Sequence, residues 1–231
     1  MKIALIGDGA MGKLIRSLAE AKGHEIVVII DENDSGLSPD ELASKLGGAE
    51  VAIDFTVAEA VRRNVEACMT ARVPLVEGTT GWNAQRVEIE KIVGDASGAF
   101  VFGANFSIGV NLFYRVADFA SGLLAKFSEY EAFIEEQHHS RKKDAPSGTA
   151  LKLKEVVSLH ISKDFSVSAT RAGNIPGTHR VGFDGPADQI LLEHSARSRE
   201  GFASGALLAA EWIVGKKGFY EFTDVIEEVI R

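Results

Sequence analysis

The side chains in this sequence best suited to chemistry are concentrated in sixteen residues, Glu135 to Ala150. Adjacent imidazoles at His138 and His139 are followed by three consecutive cations, Arg141, Lys142 and Lys143, and then by Pro146-Ser147-Gly148-Thr149. Imidazole titrates nearer neutrality than any other side chain, so a histidine beside cations can be tuned to give or take a proton at working pH. The Pro-Ser-Gly-Thr run predicts a helix start with Pro146 in the first turn. The amides of Gly148 and Thr149 would then be unpaired N–H groups aimed at whatever lies before them. A carboxylate fits such a place. Glycine near a helix start costs roughly 0.5–1 kcal/mol relative to alanine in the interior, and close approach of a ligand to the backbone would account for Gly148. The stretch reads as an anion site with an acid in it.

These residues need elements to hold them. Tyr130 to Gln137 is strand-like and delivers His138 and His139, whose side chains then point to opposite sides and have different tasks. A helix is expected from 149 to about 159, and another from about Val110 to Lys126 before the strand. Beyond Leu159 the pattern turns to strands at Phe165 to Ala169, Arg180 to Phe183 and Gln189 to His194. The run Arg171 to His179 reads as a loop, and His179 as a structural or loop histidine. The result is a sheet-dominated domain with an exposed face, most simply covered by another subunit. A long apolar helix from Phe202 to Val214 is expected to pack back on the first domain with the tail to Arg231.

The first hundred residues have a different rhythm. Ile3 to Ile6 is a short apolar strand, followed by Gly7-Asp8-Gly9-Ala10-Met11-Gly12 and a helical pattern to about Ala21. This G-x-G-x-x-G spacing permits a tight turn, close approach of a pyrophosphate, and close packing of helix on sheet. A second strand, Glu25 to Ile30, ends at Asp31, 19 residues after Gly12, where an acid can hold ribose hydroxyls. Ser38-Pro39-Asp40-Glu41 is a capping box opening a short helix to Leu46. Further strands at Glu50–Phe55, Val73–Val76 and Ala99–Phe102 alternate with helices at 58–70 and 83–93, which implies a parallel, doubly wound sheet. Ligands bind such sheets at the carboxyl ends of the strands. Those ends carry Gly7 to Gly12, Asp54-Phe55-Thr56, Gly78-Thr79-Thr80-Gly81 and Gly103-Ala104-Asn105-Phe106.

The fold class is therefore α/β: an N-terminal Rossmann-type doubly wound parallel sheet plus a smaller α+β substrate domain with an open mixed sheet. The rhythm breaks at Asn105 to Asn111, which places a hinge there. The expected boundaries are 1–106 with 200–231 for the dinucleotide-binding domain and 107–199 for substrate binding and oligomerisation. Glu32, Asn33 and Asp34 follow Asp31, and the next cation in sequence is Lys45, so local charge favours NADH over NADPH.

Composition narrows the partners. The 231 residues carry a net charge of −8, which disfavours a nucleic-acid partner bound through its phosphates and makes the central cations a local exception. The single cysteine, Cys68, falls in an apolar helical pattern and cannot form an internal disulfide, in keeping with a reducing, cytoplasmic setting. No apolar run approaches the length needed to cross a bilayer, and no metal-ligand spacing stands out. On these residues alone, the chain reads as a two-domain nicotinamide oxidoreductase, such as an amino-acid dehydrogenase, or as a dinucleotide-sensing protein.

The stretch Glu136-x-His138-His139-x-x-Lys142-x-Asp144-x-Pro146-Ser147-Gly148-Thr149-Ala150 resembles the signature of the dihydrodipicolinate reductase family, also called 4-hydroxy-tetrahydrodipicolinate reductase. The resemblance extends to the glycine turn, Asp54-Phe55-Thr56, Gly78 to Gly81, Asn105 to Asn111 and Arg171-Ala172-Gly173. It implies reduction of a cyclic imine dicarboxylate with NADH or NADPH in lysine and diaminopimelate synthesis. Carried onto this sequence, it implies His138 as general acid and Lys142 as the second catalytic cation. His139, Gly148 and Thr149 would hold substrate carboxylates. Dinucleotide contacts would fall at Gly7, Asp8, Gly9, Ala10, Met11, Gly12, Asp31, Gly78, Thr79, Thr80, Gly103, Ala104, Asn105 and Phe106. A homotetramer formed through the second-domain sheet is also implied. The glycine turn is one residue shorter than the family's commoner G-x-x-G-x-x-G form, no proline follows Thr56, and Glu32 stands where NADPH-accepting members often carry a basic residue.

Overall fold

The computed structural model describes residues 1–231, which divide into two compact units, Met1–Ile108 with Glu200–Arg231 and Gly109–Arg199. The first unit begins with β1 (Lys2–Ile6), α1 (Ala10–Ala21), β2 (Glu25–Ile30), α2 (Pro39–Leu46) and β3 (Val51–Asp54). It continues through α3 (Ala58–Ala71), β4 (Leu75–Glu77), α4 (Arg86–Asp95) and β5 (Ala99–Phe102). The second unit contains most of α5 (Ile108–Leu124), then β6 (Glu131–His138), α6 (Gly148–Ser158), β7 (Val167–Arg171), β8 (Thr178–Asp184) and β9 (Gln189–Ser195). The chain returns to the first unit with α7 (Glu200–Ile213), β10 (Gly218–Glu221) and α8 (Phe222–Val229).

Six parallel strands form the first sheet in the order β10-β5-β4-β3-β1-β2. Its four central strands, β1, β3, β4 and β5, are short and almost wholly buried because both faces are covered, while the edge strands β2 and β10 are partly exposed. Leu5, Ile53 and Val101 pack with residues of α1, α7 and α8 on one face, while Ile6, Ala52 and Phe100 pack with α2, α3 and α4 on the other. The order reverses between β1 and β3, so the ends of these strands border the crevice typical of doubly wound sheets. The tail that the sequence leaves undivided contains a sixth strand and a helix. The four residues of β10 carry too little pattern to read as a strand, and their ladder comes from β5, more than a hundred positions away.

The second sheet is mixed, in the order β7-β6-β8-β9, with β6 parallel to β7 and β8 antiparallel to β6 and β9. Along β6 burial alternates, and the inward positions are Ala132, Ile134, Glu136 and His138. This face therefore starts apolar, packed with Ala150, Leu153 and Val157 of α6, and ends in a carboxylate and an imidazole. Three expectations change here. Pro146 lies outside α6, because Ser147 is the N-cap and its hydroxyl accepts from the Ala150 amide at 3.2 Å. His179 lies in strand β8 and not in a loop, because its backbone pairs with Glu136. Strand β7 likewise runs two residues past its expected end and takes in Arg171.

Candidate active site

In the first unit the strand ends place Gly7, Asp31, Phe55, Gly78 and Gly103 along one edge. Gly7 has φ of +101°, and a Cβ there would come within 2.5 Å of the Phe55 carbonyl oxygen. A Cβ on Gly12 would lie 1.9 Å from the Gly7 carbonyl oxygen, so α1 can sit this close only on glycine. Gly9 differs, since nothing lies within 4 Å of its absent Cβ. It is also the N-cap of α1 and supplies no side-chain cap, which leaves the first-turn amides of Met11 and Gly12 to an outside acceptor. Open approach and uncapped amides fit a pyrophosphate. Asp8, beside Gly9, lies 3.8 Å from Lys13.

Further turns complete that edge. Thr56 donates its amide to Thr79 Oγ1 at 2.9 Å, Thr79 donates its own to Glu77 Oε1 at 2.7 Å, and Thr80 follows in the same turn. Asn105 Oδ1 accepts from the Ser107 amide at 2.8 Å, which shapes the turn from Gly103 and Ala104 to the buried Phe106. The Asp31 carboxylate accepts from the Asn33 amide at 2.8 Å and so caps a single 3-10 turn over Glu32–Asp34. Charge there is less one-sided than the sequence order implies. Lys45 pairs with Asp34, and Arg63 of α3 donates to the Ser35 carbonyl at 2.5 Å. Asp31 and Glu32 remain without a basic partner among the ion pairs of this turn.

Beneath these turns lies a pair that the sequence does not announce. Asp54 and Glu77 are register partners on β3 and β4, and both are fully buried. Asn64 donates to Asp54 Oδ2 at 2.6 Å, while Asp54 Oδ1 and Glu77 Oε2 have no donor, a need that one proton held between the two carboxyls would meet. Burial, and then the charge of Asp54, pushes Glu77 well above the ordinary 4.5. A carboxyl raised in the fold contributes its stability below its unfolded pKa and loses it as pH rises toward the folded value. Glu77→Gln keeps a neutral donor and removes that proton. The difference in unfolding free energy, variant minus wild type, is therefore expected to grow as pH rises from 5 to 8, at up to about 1.4 kcal/mol per unit, and to appear as a growing difference in melting temperature. Parallel curves would show that Glu77 is not protonated in the fold.

In the second unit the central stretch becomes a defined cluster. Glu136 Oε1 accepts from the Ser147 amide at 2.9 Å and from Arg171 Nη2 at 2.6 Å. Its Oε2 lies 3.3 Å from His138 Nδ1 and 3.6 Å from His179 Nε2. Ladder pairing sets Arg171 beside His138 and His179 beside Glu136, which brings the four side chains onto one face. Arg171 also donates to the Asp144 carbonyl at 2.5 Å, and Ser140 donates its amide to the Gly173 carbonyl at 3.2 Å. The Arg171-Ala172-Gly173 segment thus ties down the loop that carries the cations. Lys142 Nζ lies 2.8 Å from Asp144 Oδ1. His139, next along the backbone, is half-buried. At the start of α6 nothing lies within 4 Å of an added Cβ on Gly148, while Thr149 hydrogen-bonds the Tyr114 phenol.

Electrostatics separate the two buried imidazoles. Burial lowers His138 from its ordinary 6.5, Glu136 works to raise it, and Lys142 and Arg171 lower it further. His179 is pushed down to about 4, by burial first and by His138 next, and stays neutral. Burial works to raise Glu136, yet the Ser147 and Arg171 hydrogen bonds prevail and hold it below the usual range. Ligand atoms of Glu136, His138 and His179 lie within 4.8 Å of one another, close enough for a metal ion. Arg171 on the same carboxylate already supplies the positive charge such an ion would bring. Glu136 is a site residue beyond those expected from the sequence, and its signal is its place two positions before His138 on a strand, where period 2 puts both on one face. Arg171 and His179 carry no comparable local signal.

A nucleotide-type parallel sheet with a glycine cradle, and a mixed sheet holding an imidazole among cations, define the class of two-domain Rossmann-type oxidoreductases. The chain belongs to the dihydrodipicolinate reductase family: the model of the family's N-terminus matches residues 1–106 and that of its C-terminus residues 109–226. A 4-hydroxy-tetrahydrodipicolinate reductase of Christiangramia forsetii is 34% identical over the whole of both chains. One from Archaeoglobus fulgidus is 36% identical, covering 98% of this chain and all of its own. The solved structure of a dipicolinate-bound dihydrodipicolinate reductase from Paenisporosarcina sp. TG-14 superposes with a TM-score of 0.78 at 22% identity, over 97% of this chain and 99% of that one. At that identity the last likeness speaks for the fold.

Proposed function

We propose that this chain is an NAD(P)H-dependent oxidoreductase that reduces the cyclic imine dicarboxylate 4-hydroxy-tetrahydrodipicolinate to tetrahydrodipicolinate, a step of lysine and diaminopimelate synthesis. The reading is carried by the full-length relationship to reductases of that name together with the gathering of His138, Lys142 and the open start of α6 in one unit. His138 is the general acid that protonates the ring, and Lys142 the second catalytic cation. Binding of a dianion would offset Lys142 and Arg171, the charges that hold His138 down, and so arm the acid as substrate arrives. His139, Gly148 and Thr149 hold the carboxylates.

The pyridine nucleotide, when bound, supplies the hydride. Gly7 to Gly12, Asp31, Gly78 to Thr80 and Gly103 to Phe106 hold it, with NADH favoured because Asp31 and Glu32 would repel a further phosphate. The exposed apolar residues Ile190 and Leu191 on β9 support a homotetramer assembled through the second sheet. No helix is long and apolar enough to cross a membrane, which agrees with a cytoplasmic setting.

The test is the initial rate of NADH and, separately, NADPH oxidation with the imine generated in place from pyruvate and aspartate semialdehyde by a synthase. Synthase-dependent oxidation, faster with NADH, is expected. Faster oxidation of NADPH would overturn the cofactor assignment, and oxidation of neither would overturn the activity.

A further inference from the structure

We propose that Glu136 is a positioning residue for His138: its Oε2 fixes the Nδ1 side of the imidazole, so that the proton to be transferred is carried on Nε2. This rests on the reading of His138 as the acid and adds a residue to it.

The geometry has three parts. Glu136 Oε2 and His138 Nδ1 are buried and 3.3 Å apart, within ion-pair distance but short of hydrogen-bond geometry, and neither atom has any other hydrogen-bond partner. Each is the nearest remedy for the other. The carboxylate cannot swing away, because its other oxygen is held by the Ser147 amide and the Arg171 guanidinium. His179 does not compete for it on equal terms, since its Nε2 is 3.6 Å from the carboxylate and is already 3.1 Å from Ser147 Oγ. Finally, the opposite edge of the His138 ring is left bare by a glycine. A Cβ on Gly177 would stand 3.2 Å from His138 Nε2, and Gly177 has φ of +141°, which disfavours any side chain there. One edge of the ring faces the carboxylate, and the other is free of any side chain from position 177.

In the transfer the Nε2–H bond breaks, the hydrogen bonds to the substrate ring, and imidazolium becomes neutral imidazole. The remaining hydrogen stays on Nδ1, directed at Glu136. A carboxylate there stabilises the charged acid before transfer and selects the tautomer that remains after it. The charged or titratable groups around His138 are Glu136 on β6, His179 on β8, Arg171 at the end of β7, and Lys142 and Asp144 in the following loop. Among these, Glu136 is first in raising its pKa.

The experiment is kinetics against pH for Glu136→Gln and Glu136→Asp, with nitrogen-15 NMR of the histidine rings. In wild type the neutral His138 ring is expected as the Nδ1–H tautomer. Glu136→Gln, which presents an amide N–H to Nδ1, should convert it to Nε2–H. For turnover at saturating substrates, the fall with rising pH should move about one unit lower, with a loss of about tenfold above it and little loss at acid pH. Glu136→Asp keeps the charge and should leave the midpoint near that of wild type even if its rate is lower. An unmoved midpoint and tautomer in Glu136→Gln, with turnover lost in His138→Gln, would overturn the positioning role alone. Turnover untouched in His138→Gln would remove the acid itself, and this proposal with it.

Discussion

His138→Gln is expected to lower turnover by about 10²–10⁴-fold, the usual worth of a positioned proton donor, while leaving NADH affinity near that of wild type. Glutamine is close in reach to histidine and can still donate to Glu136, so the cluster with Ser147 and Arg171 should survive. What it cannot do is release a proton at working pH. Cofactor affinity should hold because the glycine turn and strand ends belong to the other unit. Turnover at saturating NADH and imine, set beside the dissociation constant for NADH from fluorescence titration, makes the comparison. Unchanged turnover would take His138 out of the chemistry. Weakened NADH binding of similar size would show that the substitution disturbs more than the acid.

Gly12→Ala should damage both stability and dinucleotide binding. The new methyl would sit 1.9 Å from the Gly7 carbonyl oxygen, and that oxygen cannot retreat. Gly7 donates its amide to the Ile30 carbonyl at 2.8 Å, and its own φ of +101° is set against the Phe55 carbonyl. Either α1 lifts off the sheet or the turn opens. Overpacking of this kind typically costs about 1–3 kcal/mol, occasionally more, and a chain of this size loses about 2–4 °C in Tm per kcal/mol. Because the amides of Met11 and Gly12 move with the helix, NADH affinity is expected to fall on the order of 100-fold, about 2.7 kcal/mol. Gly9→Ala separates the two effects. Its Cβ meets nothing within 4 Å, so Tm should hold while the methyl occupies the approach to the phosphates. A wild-type Tm in Gly12→Ala would mean that helix and turn are not packed as described.

Much of this protein was written in contiguous patterns. Runs such as Ile3–Ile6 and Ile26–Ile30 are apolar throughout because both faces of their sheet are covered, and that property shows in one dimension. Gly7, Gly9 and Gly12 are legible because a tight turn and a close helix impose a backbone requirement that few residues meet. His138, Lys142 and Ser147 to Thr149 could be read together because a strand end, one loop and a helix start hold them within a dozen positions. The extent of α6 is legible to within a residue, but its cap is not, since proline and serine both suit a helix start and only the Ser147–Ala150 hydrogen bond decides between them.

Tertiary structure decided what depends on pairing between distant residues. Arg171 and His179 join Glu136 and His138 only through the register of β7 and β8 on β6, and a shift of one residue would turn each away. Lys45 and Arg63 temper the acidic turn after Asp31 although the sequence places them well beyond it. Asp54 and Glu77 meet in the core because parallel ladders set them side by side, and β10 is a strand because β5 completes it. The sequence by itself determined the class of fold and the residues that can do chemistry, because local backbone and burial demands act on neighbours in the chain. The partners that set their charge and orientation were decided by the fold, because hydrogen bonds and electrostatic contacts act between neighbours in space.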